Sequence, residues 1–206
     1  SAAYQQAAPP TLVGAALFFS CLGGSVATVV AEREQQTLKR LFLSPLSGIS
    51  YFLGIFVAHC GIALAQTLLV WAIVVSTGGE FVGSPPLALI VILLSVAAYV
   101  GLGFVLGTQF ARRTEDINAL VAAFGIPLLL LGGAFLPISL FPETLLSLAK
   151  YTPIYHMILS LEGILLGETE MAEIAPHLSF LTIFAGCMVL AGWLAYRQML
   201  KTERQL

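Results

Sequence analysis

"LALIVILLSVAAYVGLGFVLGTQFA", residues 87–111, carries no charged side chain from end to end. A helix needs about 20 mostly apolar residues to cross the hydrocarbon core of a bilayer, and this run is long enough. Its apolar positions are contiguous rather than alternating, so it is not a barrel strand, and lipid then leaves the helix as the way to satisfy its backbone. Working outward, four more stretches have the same character, which sets spans at about 11–31, 51–77, 87–111, 117–137 and 177–197. None of them contains Asp, Glu, Lys or Arg before its last residue or two. A charge at the membrane centre costs about 2.5–3.5 kcal/mol on insertion scales, so lipid exposure accounts for that exclusion.

The composition agrees. Of 206 residues, 58% are hydrophobic and only 10% charged, too few polar groups to cover a soluble domain. The net charge of −2 is spread over no basic face that could neutralise phosphates, which excludes nucleic-acid binding. Cys21, Cys60 and Cys187 all lie in apolar runs, and their odd number and wide spacing fit small buried hydrophobes rather than disulfides or a metal site. The chain begins at Ser1 rather than methionine, which raises the expectation of an upstream segment removed by processing or trimming.

Orientation follows from the basic residues. Arg33, Lys39 and Arg40 come after the first span, Arg112 and Arg113 after the third, and Arg197, Lys201 and Arg204 after the fifth. The other side holds Lys150 with Glu80, Glu143, Glu162, Glu168, Glu170 and Glu173. The positive-inside rule therefore predicts a multi-pass protein with an external start and a cytoplasmic C-terminus.

The connections differ in kind. "TGGEFVGSPP", 77–86, is a Gly/Pro turn. "ARRTED", 111–116, is a tight cytoplasmic turn in which Thr114 is expected to cap the next helix, with Glu115 and Asp116 in its first turn. On the external side, Pro137, Pro142 and Pro153 chop the chain, and "IYHMILSLEGILL", 154–166, is too short to span and carries Glu162. Such a piece lies at the interface or dips in and returns.

Catalytic constellations are missing from the sequence. None of Lys39, Lys150 and Lys201 follows a glycine, so no Gly-Lys phosphate loop exists. His59, His156 and His177 have no His-Glu-x-x-His partners, and no G-x-S-x-G elbow occurs. Polar side chains within the spans are mild: Ser20, Ser25, Thr28, His59, Gln66, Thr67, Ser95, Thr108 and Gln109. His59 is ionisable, so it and Gln66 are candidates for a translocation path, a helix-to-helix hydrogen bond being the plainer role. Gly103 with Gly107, and Ser20 with Gly24, form small-x-x-x-small pairs that suit close helix packing, including against another copy. Pro127 is expected to kink the fourth span, and Gly132 and Gly133 to loosen its outer end.

Five charges crowd between Glu32 and Arg40. Over Glu32–Leu43, Leu38, Leu41 and Phe42 make a one-sided apolar stripe, and Ser44-Pro45 stops the helix. Neither Glu32 nor Glu34 has a base four residues on. This short amphipathic helix either rests at the headgroups or fits a groove on a cytoplasmic protein.

"EREQQTLKRLFLSPLSGISYFLG", 32–54, resembles the element after the second span in permease subunits of type-2 ATP-binding-cassette exporters. "RTEDINALVAAFGIPLLLLGGAFLPISLFPETLLSLAKYTPIYHMI", 113–158, resembles the later region of the same family, with Gly-Gly-x-Phe-x-Pro, a Phe-Pro turn and Pro-Ile-Tyr-His. The resemblance covers nearly the whole chain in order and implies an all-α, polytopic transmembrane helical bundle forming one permease domain over 1–206. Five spans are visible, and the family's interfacial helix and first span are not among them.

By the same resemblance, residues 32–43 are a cytoplasmic coupling helix, in which Glu32, Arg33, Glu34, Thr37, Leu38, Arg40, Leu41 and Phe42 meet an ATPase subunit. Residues 138–166 are an external re-entrant hairpin. The chain then pairs with a second copy, a homodimer, in the bacterial inner membrane, and ATP and Mg are held by the partner subunit rather than by this chain. The implied function is efflux of an amphipathic, drug-like or lipid-linked substrate by alternating access. The alternative is a channel or structural scaffold without an ATPase.

Overall fold

A computed structural model describes residues 2–35, 47–78, 83–136, 138–166 and 170–203, and every regular element among the described residues is helical. Helix α1 (Ala2–Leu17) continues through a π-helical turn, Phe18–Gly23, into α2 (Gly24–Glu34). There follow α3 (Gly48–Ser76), α4 (Pro85–Gln109), α5 (Thr114–Leu131), a 3-10 turn (Ile138–Leu140), α6 (Glu143–Ala149), α7 (Pro153–Leu166) and α8 (Met171–Glu203). Five segments are long and apolar enough to cross a membrane: Pro10–Glu34, Gly48–Ser76, Pro85–Gln109, Thr114–Leu131 and Met171–Thr202. The expected all-α, polytopic bundle is what forms.

The stretch quoted at the outset is its axis. Of the most apolar stretch of each span, 61% is buried in α4 and 56% in the first span, against 11% for α5 and 17% for α3 and α8. Small residues let the neighbours come close. A Cβ on Gly101 would stand 2.5 Å from the carbonyl carbon of Met188 on α8, and one on Gly192 would stand 2.6 Å from the Gly101 carbonyl oxygen. On another face of α4, a Cβ on Gly103 would run into Ser25 Oγ, and one on Gly107 would lie 3.3 Å from the Val26 Cα. Gly103 and Gly107 thus pack against the first span of their own chain. Phe104 then stacks edge-on with Phe52 of α3 and Tyr196 of α8, tying three helices at one level.

Several boundaries differ from the sequence expectation, each for a local reason. Helix α3 starts at Gly48 because Ser47 is its N-cap, accepting from the Ser50 amide at 3.2 Å. Thr114 does not cap α5: Arg113 occupies the cap position, and the Asp116 carboxylate accepts from the amides of Arg112 and Arg113 at 3.1 and 3.0 Å. Helix α5 stops at Leu131, not 137. Gly133 adopts φ +85°, the Ala134 amide donates to Leu129 at 3.0 Å and the Gly133 amide to Leu130 at 3.3 Å. That is a Schellman ending, so Gly132 and Gly133 terminate the helix rather than loosen it. Pro127 sits inside the helix.

Over 138–166 the chain forms the 3-10 turn, α6 and α7 in succession. Thr152 precedes Pro153, which takes the first helical position of α7 where its missing amide costs nothing, and Thr152 Oγ1 accepts from the Tyr155 amide at 3.4 Å. Helix α7 is not a surface piece: Ile154, Met157, Ile158, Leu161 and Ile164 are buried, and Tyr99 in mid-α4 donates to Met157 Sδ at 3.4 Å. It wedges between α1, α4 and α8 at the end of the bundle opposite Arg33.

Candidate functional site

Three polar places stand out in an apolar molecule, and the first is the charged end of the first span. No new helix begins at Glu32; α2 runs on through Glu34 and is capped at Gln35. The start expected for the coupling helix is therefore the last turn of the span. Thr37, Leu38, Arg40, Leu41 and Phe42 lie outside the described residues.

Arg33 and Glu34 have partners within the chain. The Arg33 guanidinium donates from Nη1 to the Ala111 carbonyl at 2.8 Å and from Nη2 to the Thr108 carbonyl at 3.0 Å. These are carbonyls at the C-terminal end of α4, where a helix lacks onward partners and its dipole favours a cation. Glu34 accepts from the Thr114 amide at 3.0 Å and from the Thr114 hydroxyl, serving the first turn of α5, where an anion suits the dipole. Two adjacent residues of α2 therefore hold both helix ends that flank the turn 110–113. Glu32, their neighbour, is half-buried.

The second place is a polar seam between the first span and α3. Ser20, on the π-helical turn, donates to Gln66 Oε1 at 3.0 Å. One turn on, Gly24 faces His59: a Cβ there would lie 2.8 Å from His59 Nε2. His59 is buried, and its Nδ1 lies 2.8 Å from the Ile55 carbonyl. That carbonyl can only accept, so Nδ1 carries the proton. Ser20, Gly24, His59 and Gln66, chosen in sequence for separate reasons, belong to one seam. The π-turn that exposes Ser20 to Gln66 has no signature in residue type, and such turns often sit at functional positions.

The third place joins α7 to α8. His156 and His177 face each other through their Nδ1 atoms at 2.7 Å, His156 Nε2 lies 2.8 Å from the Lys150 carbonyl, and the His156 ring stacks on Phe180 at 3.9 Å. The carbonyl fixes the proton of neutral His156 on Nε2, so His177 donates and His156 Nδ1 accepts. Burial holds His156 below the ordinary histidine range, the neighbouring His177 pushing the same way and the Lys150 carbonyl opposing. The sign is definite: the unfolded chain takes up this proton near the ordinary value of about 6.5, and the folded one only at lower pH. Stability from neutral His156 is complete above that value and declines as pH falls below it. The melting temperature in detergent is expected to drop between about pH 7.5 and about pH 5, and His156→Gln to flatten that slope. An unchanged slope would remove His156 from the account.

Five membrane-length helices, a buried axial helix and mild polar side chains that largely bond within their own helices define a polytopic membrane bundle without a visible catalytic centre among the described residues. The chain belongs to the ABC-2 transporter family: residues 1–194 match the model described as ABC-2 family transporter protein. It is 30% identical over 130 residues to proteins named probable multidrug ABC transporter permease YbhR, from Escherichia coli strain K12 and from Escherichia coli O157:H7. The aligned stretch covers 63% of this chain and 35% of those relatives. It is thus a multi-pass membrane protein of an ABC permease family.

Proposed function

We propose that this chain is the membrane-spanning part of an ATP-driven exporter in the bacterial inner membrane, with its C-terminus in the cytoplasm. Two copies pair, each docks on a cytoplasmic ATPase subunit that holds ATP and Mg, and the bundle alternates between inward- and outward-open states. The cargo is amphipathic, drug-like or lipid-linked. The word multidrug in the relatives' name supports the drug-like choice.

One observation carries the reading. In a chain of this family, Arg33, Arg112, Arg113, Arg197 and Lys201 all belong to helix ends at one pole of the bundle, as the Arg33 and Glu34 bonds and the Tyr51–Tyr196 stack require. That pole is the cytoplasmic one by the positive-inside rule, and there the amphipathic 36–43 segment leaves the first span. The α6–α7 hairpin then sits at the external pole as the re-entrant element.

Inverted vesicles containing the full-length permease and a co-expressed cytoplasmic ABC ATPase subunit are the test. They should accumulate ethidium, an amphipathic cation, only when ATP is present. A channel or scaffold would give the same ethidium level with and without ATP.

A further inference from the structure

The bonds made by Arg33 and Glu34 bear on where movement goes once it has entered the bundle. Both bridge residues 75 to 80 positions apart, so they are tertiary ties and not part of the helix's own capping. Arg33 uses the two arms of its fork on two carbonyls of one helix end, an arrangement that a single ammonium cannot reproduce. Glu34 takes both the amide and the hydroxyl of Thr114. The turn so gripped is itself fastened, because Asp116 accepts from the Arg112 and Arg113 amides. Helix α2, which carries both residues, is regular to its cap, and the polar segment expected to meet an ATPase starts one residue later.

We propose that Arg33 and Glu34 are positioning residues that transmit displacement of the 36–43 segment to the α4–α5 turn, and that neither contacts the ATPase. The proposal rests on the exporter reading and reassigns two residues that the sequence pattern places on the partner's surface. A push on the segment then moves the first span and the α4–α5 turn as one body. Helix α4 is the buried axis, so that motion is delivered to the centre of the bundle. Without the ties the first span is joined to α4 by packing, as at Gly103 and Gly107, and less of the movement made per ATP reaches the α4–α5 turn.

The experiment uses the full-length permease with its ATPase subunit in vesicles and two readouts: recovery of the ATPase on the purified permease, and ethidium moved per ATP hydrolysed. Arg33→Ala and Glu34→Ala should leave recovery unchanged and lower ethidium per ATP about tenfold. Arg33→Lys should restore part of the loss, since an ammonium can serve one of the two carbonyls. Thr114→Val, which removes only an exposed hydroxyl from the turn, should reproduce the Glu34→Ala defect in milder form and decides the matter should the alanine variants fail to insert.

Loss of ATPase recovery in Arg33→Ala or Glu34→Ala, with Thr114→Val at the wild-type level, would overturn the proposal by making the pair docking contacts. Unchanged ethidium per ATP in all variants would overturn it too. Failure of the wild type to recover any ATPase subunit would instead sink the exporter reading itself, a distinct outcome.

Discussion

Gly101→Leu is expected to abolish the folded bundle. The atoms that a side chain would meet at this position are backbone: a Cβ would lie 2.5 Å from the carbonyl carbon and oxygen of Met188 and 2.7 Å from the Val189 nitrogen. No rotamer change relieves such a clash, so α8 must back away from α4 where Gly101 and Gly192 meet. In lipid, helices have little hydrophobic drive to associate and are held by close van der Waals packing, which that separation destroys. Overpacking ordinarily costs about 1–3 kcal/mol where side chains can yield, and a backbone contact should reach or exceed the top of that range. The measurement is the elution profile and thermal melt of the purified protein in mild detergent. Gly61→Leu and Gly186→Leu serve as controls, since a Cβ at either position has no neighbour within 4 Å, and both should behave as wild type. A Gly101→Leu protein that melts with the wild type would show that the α4–α8 crossing is not what holds the bundle.

That crossing was only partly legible in sequence. Length and the absence of charge identify five spans, because lipid imposes those constraints one segment at a time. Which span lies at the centre is not marked by charge or glycine, since α3 is as free of charge as α4 and holds as many glycines. The partners of each glycine are another matter. Gly103 and Gly107 fit a dimer motif as well as they fit the packing against Ser25 and Val26 that the structure shows, because spacing reveals a flat face and not what fills it.

Local capping rules performed unevenly for similar reasons. The Schellman ending at Gly133 and the Ser47 cap carry recognisable signals, a Gly-Gly pair and Ser-x-x-Ser, and both could have been read. Thr114 could not, because the partner of its hydroxyl is Glu34 on a different span. The same limit hid the roles of Arg33 and Glu34: a charge unmatched at four residues' distance looks available for a foreign surface until the fold brings a helix end to it. The seam of Ser20, Gly24, His59 and Gln66 was visible as separate polar and small residues, and its unity depends on a π-helical turn that residue type does not announce.

Leu38→Asp combined with Leu41→Asp is expected to stop ATP-dependent ethidium accumulation altogether while leaving the five spans inserted. In the sequence the two leucines belong to the apolar stripe expected over 32–43, which follows the apolar run 11–31, so carboxylates there should not burden membrane insertion. Docking of an amphipathic helix in a groove depends on such anchors, and burying a carboxylate in an apolar pocket is heavily penalised. Truncation of a central anchor costs about 2–4 kcal/mol in protein interfaces, so replacing two by charge should take binding below detection. Phe42 alone cannot compensate, since the pair removes the remainder of the stripe.

The account's central claim is that a separate ATP-hydrolysing subunit grips this segment and thereby moves the bundle. Its most direct test is the amount of that subunit recovered on the purified full-length permease. The wild type should carry it in equal copies and the Leu38→Asp, Leu41→Asp protein should carry none; equal recovery on both would contradict the claim.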